Sequence, residues 1–308
     1  MKATHRAEQP TLLTWLLLVL MVLLWGISWP AMKIALNVIP PLWLGVIRFL
    51  SGSVCLFVFL ACRKGLTLPA KQDLPILLSV GCLQMLAFTA LGLVAMQYTD
   101  VSRAALLAYT TPLWGVIISG VFFRQIPSWV QLCALVTGLL GIALVCSPYE
   151  INWYTPGVLK GCLLLLLAAG CWSVVIFHVR HHRWVQSPLA LAPWQMLFAT
   201  VPMFILALIF EGEPKGITFT PFLCSLLVFI GPVATSICFV ISSACGRKVS
   251  SFVMSNFTLG VPVVGNIASL FILGTTMSIS FKAGLLLVVL GSLLAIYAGT
   301  RIQGHRLP

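Results

Sequence analysis

The chain of 308 residues is 60% hydrophobic and only 8% charged, with a mean hydropathy of +1.08. Soluble domains carry about a quarter charged residues, so these values exclude a soluble protein and define an integral membrane protein. The net charge of +12 invites a nucleic-acid partner, but the basic residues follow loops on one side of the predicted segments, which argues against one.

Apolar runs near the ~20 residues that a helix needs to cross a bilayer lie at about 12–35, 42–62, 74–97, 101–123, 129–147, 157–179, 189–210, 222–244, 249–273 and 281–300. They are apolar all round, lack strict alternation and are about twice the length of a barrel strand. The reading is therefore all-α, with ten transmembrane helices. The first run follows Lys2 and Arg6 as a secretory signal would, but it is too long and no small-residue cleavage site follows. It is expected to stay as a helix.

Polar residues inside these runs are the candidates for function, because the bilayer penalises them. In the first run Trp25 and Ser28 share a helix face, Pro30 is an expected break, and Lys33 stands at the outer end. Arg48 lies six residues into the second run. It either contacts a substrate or cavity, or snorkels to the outer interface and caps freed carbonyls. Gln84 marks the third run, and the fourth holds Tyr109, Thr110, Thr111, Pro112 and Trp114. The sixth run brings Trp172 and Ser173, then a basic end with His178, Arg180, His181, His182 and Arg183, read as a topology signal and lipid-headgroup contact. Gln195 follows in the seventh run, and Asn256, Gly260, Pro262 and Asn266 lie in the ninth. Pro112 and Pro262 each remove a donor from the carbonyl four residues earlier, so both helices should kink there. Neighbouring Thr and Asn side chains either line a polar cavity or repair the breaks.

The loops set the orientation. With a cytoplasmic N-terminus, the inner ends carry Lys2, Arg6, Arg63, Lys64, Lys71, Arg124, Arg180, Arg183, Arg247, Lys248, Arg301 and Arg306, against Lys33, Arg103, Lys160, Lys215 and Lys282 outside. That bias places both termini in the cytoplasm. All six acids, Glu8, Asp73, Asp100, Glu150, Glu211 and Glu213, fall at loops or segment ends, so the membrane interior offers no carboxylate to relay a proton or hold sodium. The cysteines form no C-x-x-C pair and no ligand spacing with His. Neither a metal nor a cofactor is expected, and no acid, base or nucleophile cluster suggests an enzyme.

The two halves match each other. Trp25, Pro41, Leu42 and Arg48 fall opposite Trp172, Pro188, Leu189 and Gln195 at an offset of 147, and Pro112, Gly115 and Gly141 fall opposite Pro262, Gly265 and Gly291 at 150. Each half holds five runs, an odd number, so the halves must cross in opposite senses. Residues 1–148 and 149–308 are thus expected to form two inverted five-helix repeats, an architecture that transporters use for alternating access.

Three motifs carry a family resemblance. These are Trp25-Gly26-Ile27-Ser28-Trp29-Pro30-Ala31-Met32-Lys33, then Ile47-Arg48-Phe49-Leu50, then Ala104-Ala105-Leu106-Leu107-Ala108-Tyr109-Thr110-Thr111-Pro112-Leu113-Trp114. Together they resemble the EamA group of the drug/metabolite transporter superfamily, over essentially the whole chain. The resemblance implies a 5+5 inverted-repeat bundle with a central cavity and export of amino acids or related small metabolites across a bacterial inner membrane. It carries the family's Lys, Arg and Tyr-Thr-x-Pro onto Lys33, Arg48, Tyr109, Thr110 and Pro112. The chain departs from the family at the ends of the fourth and ninth segments, with Arg124-Gln125 and Gly274-Thr275 where Gly-Glu is usual, and it has Val261-Pro262 in place of Glu-Pro.

The expected site therefore comprises Trp25, Ser28, Lys33, Arg48, Gln84, Tyr109, Thr110, Trp114, Trp172, Asn256 and Asn266, with helix breaks at Pro30, Pro112, Gly260 and Pro262. The expected partners are a small-molecule substrate and membrane lipid, with oligomeric state left open. The alternative function is a lipid- or amphiphile-translocating protein, or a non-transporting helper, of the same fold.

Overall fold

The structure is a computed structural model, and it describes residues 10–123, 128–145, 154–249, 253–254, 257–274 and 276–304. Among these residues the secondary structure is helical throughout, with no strand. The helices are α1 (Leu12–Ala35), α2 (Pro41–Cys62), α3 (Lys71–Ala95), α4 (Val101–Ala108), α5 (Thr111–Phe123), α6 (Trp129–Val145), α7 (Val158–His181), α8 (Pro188–Phe210), α9 (Pro221–Gly246), α10 (Gly260–Leu273) and α11 (Ile279–Gly304). Among the described residues, seven stretches are long and apolar enough to cross a membrane: α1, α2, α3, Val101–Ile118, α7, α8 and α9. The remaining three apolar helices are shorter in that respect.

Helix starts follow from local chemistry. Thr11 and Thr14 form a reciprocal cap on α1, and Asp100, Ser187 and Thr220 accept from the amides of Arg103, Ala190 and Leu223. Pro41, Pro188 and Pro221 each open a helix, where a missing N–H costs nothing. Pro30 lies inside the unbroken α1. The break expected there is therefore absent, and α1 runs through it.

Two helices contain wide (π) turns. They span Val80–Ala87 in α3 and Phe229–Ile237 in α9. Such turns are rare and gather at functional sites. The run around Pro112 is a full interruption, deeper than the expected kink: α4 ends at Ala108, and α5 restarts at Thr111 beyond Tyr109 and Thr110. A turn at Thr258 and Leu259 precedes α10. The hydroxyls of Thr111 and Thr258 stand 3.5 Å apart, so the two proline-marked interruptions lie side by side.

Packing between helices relies on small residues, as expected where lipid supplies no hydrophobic drive. α6 packs along α11, α2 along α8, α1 along α10, and α7 against α3, α4 and α5. The turn of α9 rests on α2, and the turn of α3 rests on α8. Gly141 of α6 sits against Gly284 and Val288 of α11, while Gly291 of α11 sits against Ala134 and Gly138 of α6. Gly231 in the wide turn of α9 abuts the Arg48 carbonyl and Ser51, and Gly81 in that of α3 abuts the Gln195 carbonyl and Phe198. A β-carbon at Gly141, Gly231 or Gly291 would come within 3 Å of a neighbouring atom.

Candidate functional site

The helices converge on a central cavity lined by Trp25, Ser28, Trp29 and Met32 of α1, Arg48 of α2, Gln84 and Phe88 of α3, Tyr109 at the α4–α5 interruption, Trp172 of α7 and Phe239 of α9. The side chains close on one another and leave a cavity of about 20 Å3, room for little more than single waters. The walls form an aromatic box. Trp25 and Trp172 meet edge to face at 5.3 Å, Trp25 meets Phe239 at 5.5 Å, and Trp172 meets Phe88 at 4.9 Å and Tyr109 at 5.0 Å. Trp29 closes on Tyr109 at 6.0 Å. Edge-to-face geometry of this kind is the favoured arrangement of aromatic pairs.

Arg48 is the only charged group in this lining and is 6% exposed. Its position derives from the wide turn of α9. There the Thr235 hydroxyl donates to the Ile230 carbonyl at 2.7 Å and accepts from Arg48 Nε at 2.5 Å. Arg48 Nη1 also reaches the Met32 sulfur at 3.2 Å. A guanidinium has five N–H donors, and the others, including both on Nη2, have no hydrogen-bond partner among the described residues. No carboxylate pairs with Arg48 there: the ion pairs are Arg103 with Asp100 at 2.5 Å and His182 with Asp73 at 3.0 Å. Arg48 is thus held in the centre by Thr235 and Met32 and does not snorkel to an interface.

Two more polar groups in the lining lack partners. The Trp25 indole N–H is buried without an acceptor, and the Gln84 amide makes no hydrogen bond among the described residues. Ser28 Oγ is engaged locally, donating to the Trp25 carbonyl at 2.7 Å. The cavity is donor-rich, singly positive and aromatic. A second cation placed about 5 Å from Arg48 would be repelled by about 3 kcal/mol at an effective dielectric constant near 20. Cation–π contact returns about 2 kcal/mol at a desolvated site, so repulsion wins.

Of the residues expected at the site, Trp25, Ser28, Arg48, Gln84, Tyr109 and Trp172 surround this cavity. Others lie elsewhere. Lys33 donates to the Met96 carbonyl at 2.6 Å at the end of α3. Thr110 donates to the Leu107 carbonyl at 2.8 Å, repairing the interruption. Trp114 packs over Gly170 of α7. Asn266 Nδ2 donates to the Pro262 carbonyl at 2.8 Å, and its oxygen has no partner. Asn256, with the 148/149 boundary and Arg124-Gln125, lies outside the described residues. Trp29, Met32, Phe88 and Phe239 join the lining without having been expected there. Trp29 and Met32 were within reach of sequence reasoning, since they continue the Trp25–Ser28 face at helical spacing.

Polar clamps tie the helices at both ends. At the α2 start, the Glu211 carboxylate accepts from the amides of Leu42 and Trp43 at 2.9 and 3.2 Å, and the Trp43 indole donates to the Gly212 carbonyl at 2.8 Å. At the opposite end Asp73 is fully buried and accepts from His182 Nε2 at 3.0 Å and from the amides of Val185 and Gln186 at 3.1 and 2.8 Å. Ser79 meets His178 at 2.7 Å, and Arg180 donates to the Arg247 carbonyl. The basic end of α7 is therefore part of an interhelical junction, beyond the topology signal expected of it.

The EamA-like transporter family matches residues 12–147 and 159–297 of the chain. An uncharacterized transporter of Bacillus subtilis (strain 168), YoaV, is 25% identical over 91% of this chain and 95% of its own length. A probable amino-acid metabolite efflux pump of Salmonella typhimurium (strain LT2) is 25% identical over 93% and 95%. A solved crystal structure shares the fold with a TM-score of 0.66 at 19% identity, over 92% of this chain and 97% of its own.

Proposed function

The chain belongs to the EamA-like transporter family, and from that premise we propose that it is a secondary transporter that exports or equilibrates amino acids or related small metabolites by alternating access. The cavity around Arg48 carries this reading: a buried cation without a counter-charge, walled by aromatic rings, matches the charge of a carboxylate-bearing solute, which alternating access admits as the rings part. The efflux-pump name of a relative at 25% identity is consistent with that substrate class.

We further propose that α4 and α5 form one broken span and that all the apolar helices cross the membrane, giving ten spans in two inverted halves, 1–148 and 149–308. The family matches the chain twice, once in each half. Packing supports the same arrangement. Adding the repeat offset of 150 to the pair Gly138 and Gly141 gives Val288 and Gly291, and their observed contacts, Gly141 with Val288 and Gly291 with Gly138, exchange under that operation. Gly231 against Arg48 and Ser51 likewise maps onto Gly81 against Gln195 and Phe198. Trp25 and Trp172, equivalent at offset 147, touch each other, and equivalent residues can touch only near a pseudo-two-fold axis. The cavity thus sits where two rocking halves meet. The bias of basic residues argues for both termini in the cytoplasm of a bacterial inner membrane.

Flux into proteoliposomes tests the reading. Uptake of an amino-acid-sized carboxylate should exceed that of protein-free vesicles, with Arg48→Ala reducing it at least tenfold at equal reconstitution. Full flux in a folded Arg48→Ala protein would sink the role given to Arg48.

A further inference from the structure

Amino acids and simple organic acids share a carboxylate and differ in the ammonium group, and the cavity treats these two charges very differently. For the carboxylate it offers the free N–H groups of Arg48 and the unpartnered indole N–H of Trp25. For an ammonium it offers no acid. Among the described residues Asp73 is taken by His182 and two amides, Asp100 by Arg103, and Glu211 by the start of α2. Main-chain carbonyls near irregular backbone can also hold a cation, but here those of Trp25 and Ile230 are occupied, accepting from Ser28 and Thr235. An ammonium drawn into this cavity would lose its water and face Arg48 with no acid to pair with, only the neutral oxygens of Gln84, Ser28 and Tyr109 and the aromatic rings.

Resting on the transport reading above, we propose that the preferred cargo is an organic monoanion, a carboxylate joined to an apolar or aromatic body and lacking an ammonium group. Zwitterionic amino acids are then the disfavoured members of the substrate class. The carboxylate lies on Arg48 near Trp25, and the rings of Trp25, Trp172, Phe88 and Phe239, which touch in this structure, part to take the body between them.

Three probes with the same ring and chain length separate the charges: 3-phenylpropanoate, phenylalanine and 2-phenylethylamine. Binding to the purified full-length protein is read by thermal stabilisation and calorimetry, with flux in proteoliposomes measured against empty vesicles. The expected order is 3-phenylpropanoate at least tenfold tighter than phenylalanine, with no binding of the amine. Arg48→Gln should erase the preference, and Trp25→Phe, which keeps an aromatic wall smaller than the indole and removes the N–H, should weaken 3-phenylpropanoate by severalfold. Phenylalanine binding as tightly as 3-phenylpropanoate, or better, overturns this proposal and leaves the transport reading standing. Absence of binding and flux for all three overturns both.

Discussion

At the scale of single residues, the structure separates polar groups that wait for a partner from those that have one. The Trp25 indole belongs to the first kind, Arg48 is held by Thr235 and Met32 with N–H groups to spare, and Lys33 and Thr110 belong to the second. Lys33→Ala should lower thermal stability while leaving ligand affinity within twofold, because its amine serves the Met96 carbonyl and not the cavity. Calorimetry on the purified variant checks this, and a tenfold loss of affinity would place Lys33 in the site after all. Polar residues were legible in the sequence because charge and amide groups contrast with an apolar helix. Phe88 and Phe239 were not, since an aromatic in an apolar run looks the same whether it faces lipid, core or cavity. Thr235 was hidden for another reason: its role depends on a wide turn, which has no compositional signature of its own.

At the scale of helices, proline was an uneven guide. Pro112 marks a true interruption, whereas Pro30 sits in continuous helix. The difference lies in the neighbours: Tyr109 leaves the helical path where it meets Trp172 of α7, while α1 packs along α10. Long-range junctions were beyond the sequence altogether, because nothing local links Asp73 to residues more than a hundred positions away. Asp73→Asn weakens three charge-assisted hydrogen bonds at a buried site, so it should cost about 2–4 kcal/mol of stability, read as a lower unfolding midpoint. An unchanged midpoint would mean that the junction is not structural. Gly291→Leu should separate α6 from α11, since even a β-carbon there meets the backbone of Gly138 at 2.6 Å. Overpacking of this kind costs about 1–3 kcal/mol or more, and the same loss is expected from Gly141→Leu because the two contacts mirror each other.

For the whole molecule, the likeness of the halves at offsets of 147 and 150 was visible from residues alone, while support for an axis relating them comes only from contacts. The proposed axis runs near Trp25 and Trp172, and across it the symmetry fails in one respect. Arg48 has Gln195 as its counterpart, so the paired halves bring one positive charge to the centre and not two. A solitary charge makes the empty carrier cationic there and the anion-loaded carrier neutral. An anion that moves outward alone carries negative charge out of a cell whose interior is negative, and each 100 mV contributes about 2.3 kcal/mol, roughly a fiftyfold accumulation outside. On the proposed anion-export reading, the voltage of the membrane is a sufficient engine, and no carboxylate for protons or sodium is needed. Imposing a potassium diffusion potential across proteoliposomes should accelerate anion efflux when the interior is negative and reverse with its sign.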